Sequence, residues 1–113
     1  MDREHRGLRF PFSAGAEIAP ESSPTASVPG RVTELSLLGC FLETSAPFEK
    51  QRPVLLKIYN SGEFLEAPAS VLYVKPSGLG LVFREIKPHF RAVLQKWVLT
   101  ALDAQQNPQM TSR

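Results

Sequence analysis

A carboxylate, a hydroxyl and a glycine at i, i+2 and i+5 stand together in Arg31-Val-Thr-Glu-Leu-Ser-Leu-Leu-Gly-Cys-Phe-Leu-Glu-Thr44, between two strand-like runs. Residues two apart in a strand face one side, so Glu34 and Ser36 are expected to present two polar groups together. Gly39 would let the backbone turn or come close to a bound molecule. An arginine-rich start, Asp2-Arg-Glu-His-Arg-Gly-Leu-Arg-Phe-Pro-Phe12, offers cations. Guanidinium groups bind oxyanions as forks and stack on aromatic planes, so the two segments together suit an anionic, aromatic ligand. Arg3, Arg6 and Arg9 are spaced by three and are partly offset by Asp2 and Glu4, which makes a local arginine cluster and not a polybasic arm. Arg31, just ahead of the second motif, either adds positive charge to it or is simply solvated. The plain reading of the others is also open: terminal arginines in solvent, Glu34 and Ser36 as surface polar residues, Gly39 relieving a bulge.

Other chemistries find little support. There is no Ser/His/Asp or Cys/His arrangement, no GxxxxGK phosphate loop and no paired acid motif, so no enzyme is expected. His5 and His89 lie far apart without Cys or acidic clusters, and no metal or cofactor is expected. Cys40, the single cysteine, reads as a small buried apolar residue, and one cysteine agrees with a reducing compartment. The net charge of +2 and a pI near 8.9 are too slight for a committed binder of nucleic-acid polymers. No apolar run reaches the roughly 18 residues of a membrane span. The charged MDREHRGLRFPF start lacks the apolar stretch of a signal peptide, which favours the cytoplasm.

These residues need a scaffold, and the chain of 113 residues has the size of one domain. Alternation of Ala14, Ala16 and Ile18 against Ser13, Gly15 and Glu17 predicts a first strand over Phe10 to Ile18. Pro20 to Pro29 is a connection rich in Pro, Ser, Thr and Ala. Further strands are expected at Val28 to Leu35, Gly39 to Thr44, Pro53 to Tyr59, Phe64 to Val74 and Leu79 to Ile86. Asn60-Ser61-Gly62 and Pro76-Ser77-Gly78 supply turns, and Pro68 implies an edge or bulge. From Pro88 the period changes. Phe90, Val93, Leu94, Trp97, Val98, Ala101 and Leu102 form an amphipathic helical stripe ended near Asn107-Pro108. Strands closed by one helix argue for a mainly β protein, a six-stranded antiparallel barrel or half-open roll with the helix on one opening.

Element order and motifs together resemble the PilZ domains, small receptors for the bacterial second messenger cyclic di-GMP. Their signature is RxxxR ahead of the first strand and (D/N)xSxxG further along. Here the second motif reads Glu34-Leu35-Ser36-Leu37-Leu38-Gly39, keeping serine and glycine and lengthening the first side chain by one methylene. The stretches Leu35 to Thr44 and Gly78-Leu-Gly-Leu-Val-Phe-Arg-Glu-Ile86 also look like PilZ sequence, so the resemblance covers most of Arg3 to Leu102. The arginines depart from the pattern, being spaced RxxR. Either Arg6 and Arg9 serve through a rearranged loop, or His5 takes one arginine position, or nucleotide binding has been lost.

The resemblance implies a flexible arginine-rich segment at 1–12, a barrel domain with its helix at 10–103, and a disordered tail at 104–113. It implies a non-enzymatic receptor binding cyclic di-GMP through Arg6, Arg9, Glu34, Ser36 and Gly39, with Arg3 and His5 contributing. Arginine would take phosphates and the guanine edge, Glu34 would accept from guanine N–H groups, and Ser36 would bond phosphate or base. The ligand would order the N-terminal segment and offer a new surface to an effector protein in motility, adhesion or biofilm control. The alternative is a PilZ-like domain that binds no nucleotide and acts as an interaction adaptor related to motility or type IV pili.

Overall fold

The computed structural model describes residues 9–45 and 47–106. Arg3, His5 and Arg6, most of the expected flexible segment and residues 107–113 of the expected tail lie outside them. Six strands, β1 (Phe10–Pro20), β2 (Val28–Leu35), β3 (Gly39–Glu43), β4 (Pro53–Asn60), β5 (Glu63–Lys75) and β6 (Gly78–Phe83), precede one helix, α1 (Pro88–Gln106). Phe10 to Phe12 are therefore strand, and Ala104 to Gln106, assigned from sequence to the tail, are helical. The strands close into an antiparallel barrel in the order β1-β2-β3-β6-β5-β4, as the alternating patterns predict. The roll is fully closed, because β1 pairs with β4 from Gly15↔Tyr59 to Pro20↔Val54.

Inward positions fill the barrel. Ile18, Val32, Leu35, Leu42, Leu56, Ile58, Leu65, Val71 and Leu81 are fully buried, with the smaller Ala14, Ala16, Ala67 and Ala69 between them. Such a mixture of large and small side chains is what the narrow interior of a small barrel accepts. The helix covers one opening and packs against β1 and β5. It buries Leu94, Trp97, Val98 and Ala101 of the expected stripe, leaving Phe90, Val93 and Leu102 half-buried. Trp97 stacks on Phe12 with ring centroids 5.7 Å apart, and Phe90 meets Phe64 at 5.6 Å. The Glu63 carboxylate, at the start of β5, accepts from Lys96 Nζ at 2.6 Å and from Trp97 Nε1 at 3.3 Å. These two bonds from α1 hold it below the usual carboxylate range.

One strand expectation changes and one is resolved. β6 ends at Phe83, not Ile86, and Ile86 is buried in the connection to the helix. Pro68 marks no bulge: it pairs with Leu55 of β4 on one side, and on the other it is a local edge, one residue outside the β5–β6 ladder that begins at Ala69↔Phe83. Its carbonyl accepts from Arg84 N–H at 2.9 Å, so the side where its N–H is missing faces the chain just past the end of β6. No regular ladder bond is forfeited there.

Candidate functional site

Three irregularities converge on one outer face of the barrel. β1 carries an extra residue between Pro11 and Ala14 relative to β2, β2 carries Thr33 as an extra residue relative to β3, and β5 carries Leu72 relative to β6. A bulge reverses which face the following side chains occupy. Strict alternation from the buried Val32 and Val71 would turn Glu34 and Tyr73 inward, and the bulges at Thr33 and Leu72 turn both outward. The registers Glu34↔Phe41, Phe41↔Gly80 and Tyr73↔Gly80 then set these four residues in a single row across four strands.

Arg9 reaches this row from just ahead of β1. Its Nη1 donates to the Tyr73 hydroxyl at 2.7 Å, and the guanidinium carbon lies 5.6 Å from the Tyr73 ring centroid. The same Nη1 lies 4.0 Å from Glu34 Oε1, with Glu34 half in solvent at 52% side-chain exposure and Arg9 at 21%. The spacing of the two motifs in sequence thus becomes contact in space for Arg9 and Glu34.

Tyr73 lies across Gly80, where a Cβ would meet the ring at 2.3 Å. It stacks on Phe41 with centroids 6.3 Å apart and planes 26° from parallel. Lys75, at the end of β5, places its ammonium 5.5 Å from the Tyr73 centroid and 6.0 Å from that of Phe41. Sequence reasoning missed Phe41, Tyr73 and Lys75. The available signal was Gly80 between Leu79 and Leu81, a glycine in a strand where something large must lie close to the backbone.

Ser36 does not share a face with Glu34. β2 ends at Leu35, so period-two facing stops there, and Ser36 opens the turn into β3. It is 2% exposed. Its Oγ accepts from the N–H groups of Leu38 and Gly39, each at 3.0 Å, and donates to the Gly39 carbonyl at 3.2 Å. Its amide also donates to that carbonyl at 2.9 Å. The hydroxyl is thereby committed to the turn. Gly39 is required by packing: a Cβ would sit 1.9 Å from the Leu81 carbonyl oxygen of β6. The Ser36–Gly39 half of the motif thus builds the turn that follows Glu34. Arg31 donates to Ser13 Oγ at 2.9 Å and faces Glu43 in register.

Cys40 points inward between these elements, and burial pushes its thiol up to about 12, opposed weakly by the nearby Arg9 charge. Among the described residues, no group of three or more His, Cys, Asp or Glu is placed to hold a metal, and no helix is long and apolar enough to cross a membrane. A groove of about 490 Å³ lies elsewhere, lined by Glu17, Leu55, Lys57, Glu66, Pro68 and Phe90 among others, and no motif residue borders it. The row around Arg9 is an open surface, suited to a flat ligand laid against the barrel.

Comparisons with known proteins agree with this fold. The structure resembles the PilZ domain of CeSA from a cellulose-synthesizing bacterium, with a TM-score of 0.67 and 19% identity over 83% of this chain and 97% of that one. It resembles YcgR from Escherichia coli in complex with c-di-GMP, with a TM-score of 0.74 and 12% identity over 94% of this chain and 49% of that one. The inhibitor of motility MotI/DgrA from Bacillus subtilis gives 0.67 and 16%, covering 82% of this chain and 48% of that one. This chain thus spans about half the length of the latter two. No curated protein matches. The PilZ domain family model matches residues 2–100, and the chain belongs to the PilZ domain family.

Proposed function

We propose that this protein is a non-enzymatic receptor that binds cyclic di-GMP on the outer face described above and relays binding to an effector protein by ordering its N-terminal segment. The observation that supports this most is the meeting of Arg9 with Glu34 beside Tyr73: one cation and one carboxylate, drawn from the two family motifs, on an accessible surface. Arg9 would take phosphate or the guanine O6/N7 edge, and Glu34 would accept from guanine N–H groups. Ser36 and Gly39 would serve by holding the turn beyond Glu34. Arg6 would add the second guanidinium, with Arg3 and His5 as further donors. YcgR, whose structure was solved with c-di-GMP, has this fold and supports the ligand class. The reading places the protein in the cytoplasm, in control of motility or biofilm formation, with neither a cofactor nor a nucleic-acid polymer as partner.

The second reading is an interaction adaptor that binds no nucleotide. It draws on Arg9 being engaged by Tyr73 and Glu34. Calorimetric titration with cyclic di-GMP separates the two, with GTP and cyclic di-AMP as controls and the Arg6→Ala/Arg9→Ala variant alongside. Micromolar or tighter binding, selective and lost in the variant, is expected of the receptor. Absence of heat and of thermal shift at high ligand concentration leaves the adaptor.

A further inference from the structure

Lys75 stands on the aromatic pair beside Arg9, and among the described residues no carboxylate forms an ion pair with it. Lysine and arginine ion pairs among the described residues include Lys57–Glu66, Arg84–Glu21, Lys96–Glu63 and Arg9–Glu34. Lys75 takes part in none of them, and its ammonium lies over the two rings of Phe41 and Tyr73. Its row on the outer face runs Arg31↔Glu43, Glu43↔Gly78 and Gly78↔Lys75. Gly78 leaves a gap without a side chain between Lys75 and Glu43 in this row. A Cβ at Gly78 would itself fall 2.1 Å from the Leu42 carbonyl oxygen, so this gap is imposed by backbone packing between β3 and β6.

Its position is also fixed by the barrel. Lys75 ends β5 and pairs with Gly78 across a short turn, three residues past the bulge at Leu72. That bulge is what turns Tyr73 and Lys75 to the outside. The Tyr73 ring, lying on Gly80 and stacked on Phe41, forms the floor under the ammonium, which cation–π attraction holds above it. Arg9 and Lys75 thus approach the same Tyr73 ring, at 5.6 Å and 5.5 Å from its centroid. A lysine presents a compact charge with rotatable donors and needs no fork geometry to meet a phosphate oxygen.

We infer that Lys75 is a phosphate-contacting residue of the proposed nucleotide site, a cation supplied by the barrel itself that acts with Arg9 where the N-terminal arginines are spaced RxxR. This rests on the receptor reading. A ligand with two phosphates needs cations at two places. Arg9 comes from the chain ahead of β1, and Lys75 from the end of β5. The strand-borne lysine is in place before the ligand arrives, so no chain ordering is needed to present it.

The test is calorimetric titration of the full chain with cyclic di-GMP at two salt concentrations, for the parent, Lys75→Met, Lys75→Arg and Arg9→Ala. Methionine keeps an unbranched apolar stem over the rings and removes only the charge. Lys75→Met is expected to bind about tenfold more weakly, the size of one charge-assisted hydrogen bond, and to show a shallower loss of affinity with added salt. Lys75→Arg is expected to stay within about threefold of the parent, since the charge is kept. Lys75→Met binding like the parent, with the same salt dependence, overturns the assignment and leaves the receptor reading standing. A parent that binds no cyclic di-GMP overturns both.

Discussion

The guanidinium of Arg9 donates to the hydroxyl of Tyr73 at 2.7 Å across 64 positions of sequence, joining the residue ahead of β1 to the end of β5. The bond is partly buried and adds to the contact of the guanidinium with the ring. Tyr73→Phe removes the bond and keeps the ring. A hydrogen bond of this kind contributes about 1 kcal/mol, so cleavage by trypsin after Arg9 is expected to be about fivefold faster in the variant. Equal cleavage rates would mean that the ring, not the hydroxyl, holds Arg9.

Ser36 and Glu34 belong to one motif and are expected to separate by phenotype. Ser36→Ala strands two amide donors, those of Leu38 and Gly39, in a buried turn, and should lower stability by about 2 kcal/mol. Glu34→Gln alters an exposed, long contact and should change stability by less than about 0.5 kcal/mol while weakening ligand binding. Urea denaturation of both variants checks this. Equal stabilities for Ser36→Ala and the parent would show that the turn does not depend on the hydroxyl.

Glycines of the barrel should divide in the same way. A methyl at position 39 meets the Leu81 backbone, which is held in the β3–β6 ladder, and Gly39→Ala is expected to cost about 2–4 kcal/mol. At Gly15 nothing lies within 4 Å, so Gly15→Ala should be neutral or stabilising by up to about 1 kcal/mol. Gly80→Ala falls between: its obstacle is the Tyr73 ring, a side chain able to swing aside. It should therefore release Arg9 to trypsin as Tyr73→Phe does. The midpoint of thermal unfolding and the same cleavage assay measure all three.

Cys40 gives the chain an alkaline dependence. Burial raises its thiol from 9.0 to about 12 in the folded state, with the Arg9 charge opposing. Above the unfolded value the unfolded chain releases this proton and the folded one keeps it, so stability falls as pH rises from about 9 towards about 12. Below about 9 the contribution is fully present. Cys40→Ala should flatten the decline over that window, measured as the urea midpoint against pH. The native thiol should resist a disulfide reagent at neutral pH until the chain unfolds. A parent and variant with parallel alkaline profiles would contradict this.

Most of the architecture could be read from residue pattern. The bounds of β2 were given by Val28 and Leu35, and the helix by the stripe from Phe90 to Leu102, because one buried face imposes one period. The facing of Glu34 and Tyr73 could not be read that way. Each follows a bulge, and an extra residue reverses the parity on which facing is inferred. Val32 and Leu35 are both buried although three apart, which is the trace that bulge leaves in the sequence. The facing of Ser36 escapes the pattern for a related reason: strand parity stops at Leu35, where β2 ends. Arg9 and Tyr73 meet through the closure of the sheet, a relationship between distant positions that no local pattern encodes.

The closed ring of strands also limits how this protein is read by others. β1 and β4 complete each other's hydrogen bonds from Gly15↔Tyr59 to Pro20↔Val54, so along this seam the sheet offers no open rim for a partner to extend with a strand of its own. Recognition by backbone pairing, which tolerates many sequences, is thereby removed along that seam. What a partner meets is a mosaic of side chains on the barrel wall and on the outer side of α1. A change of a few groups on that wall, such as the release of Arg9 from Tyr73, becomes a change in identity as seen from outside.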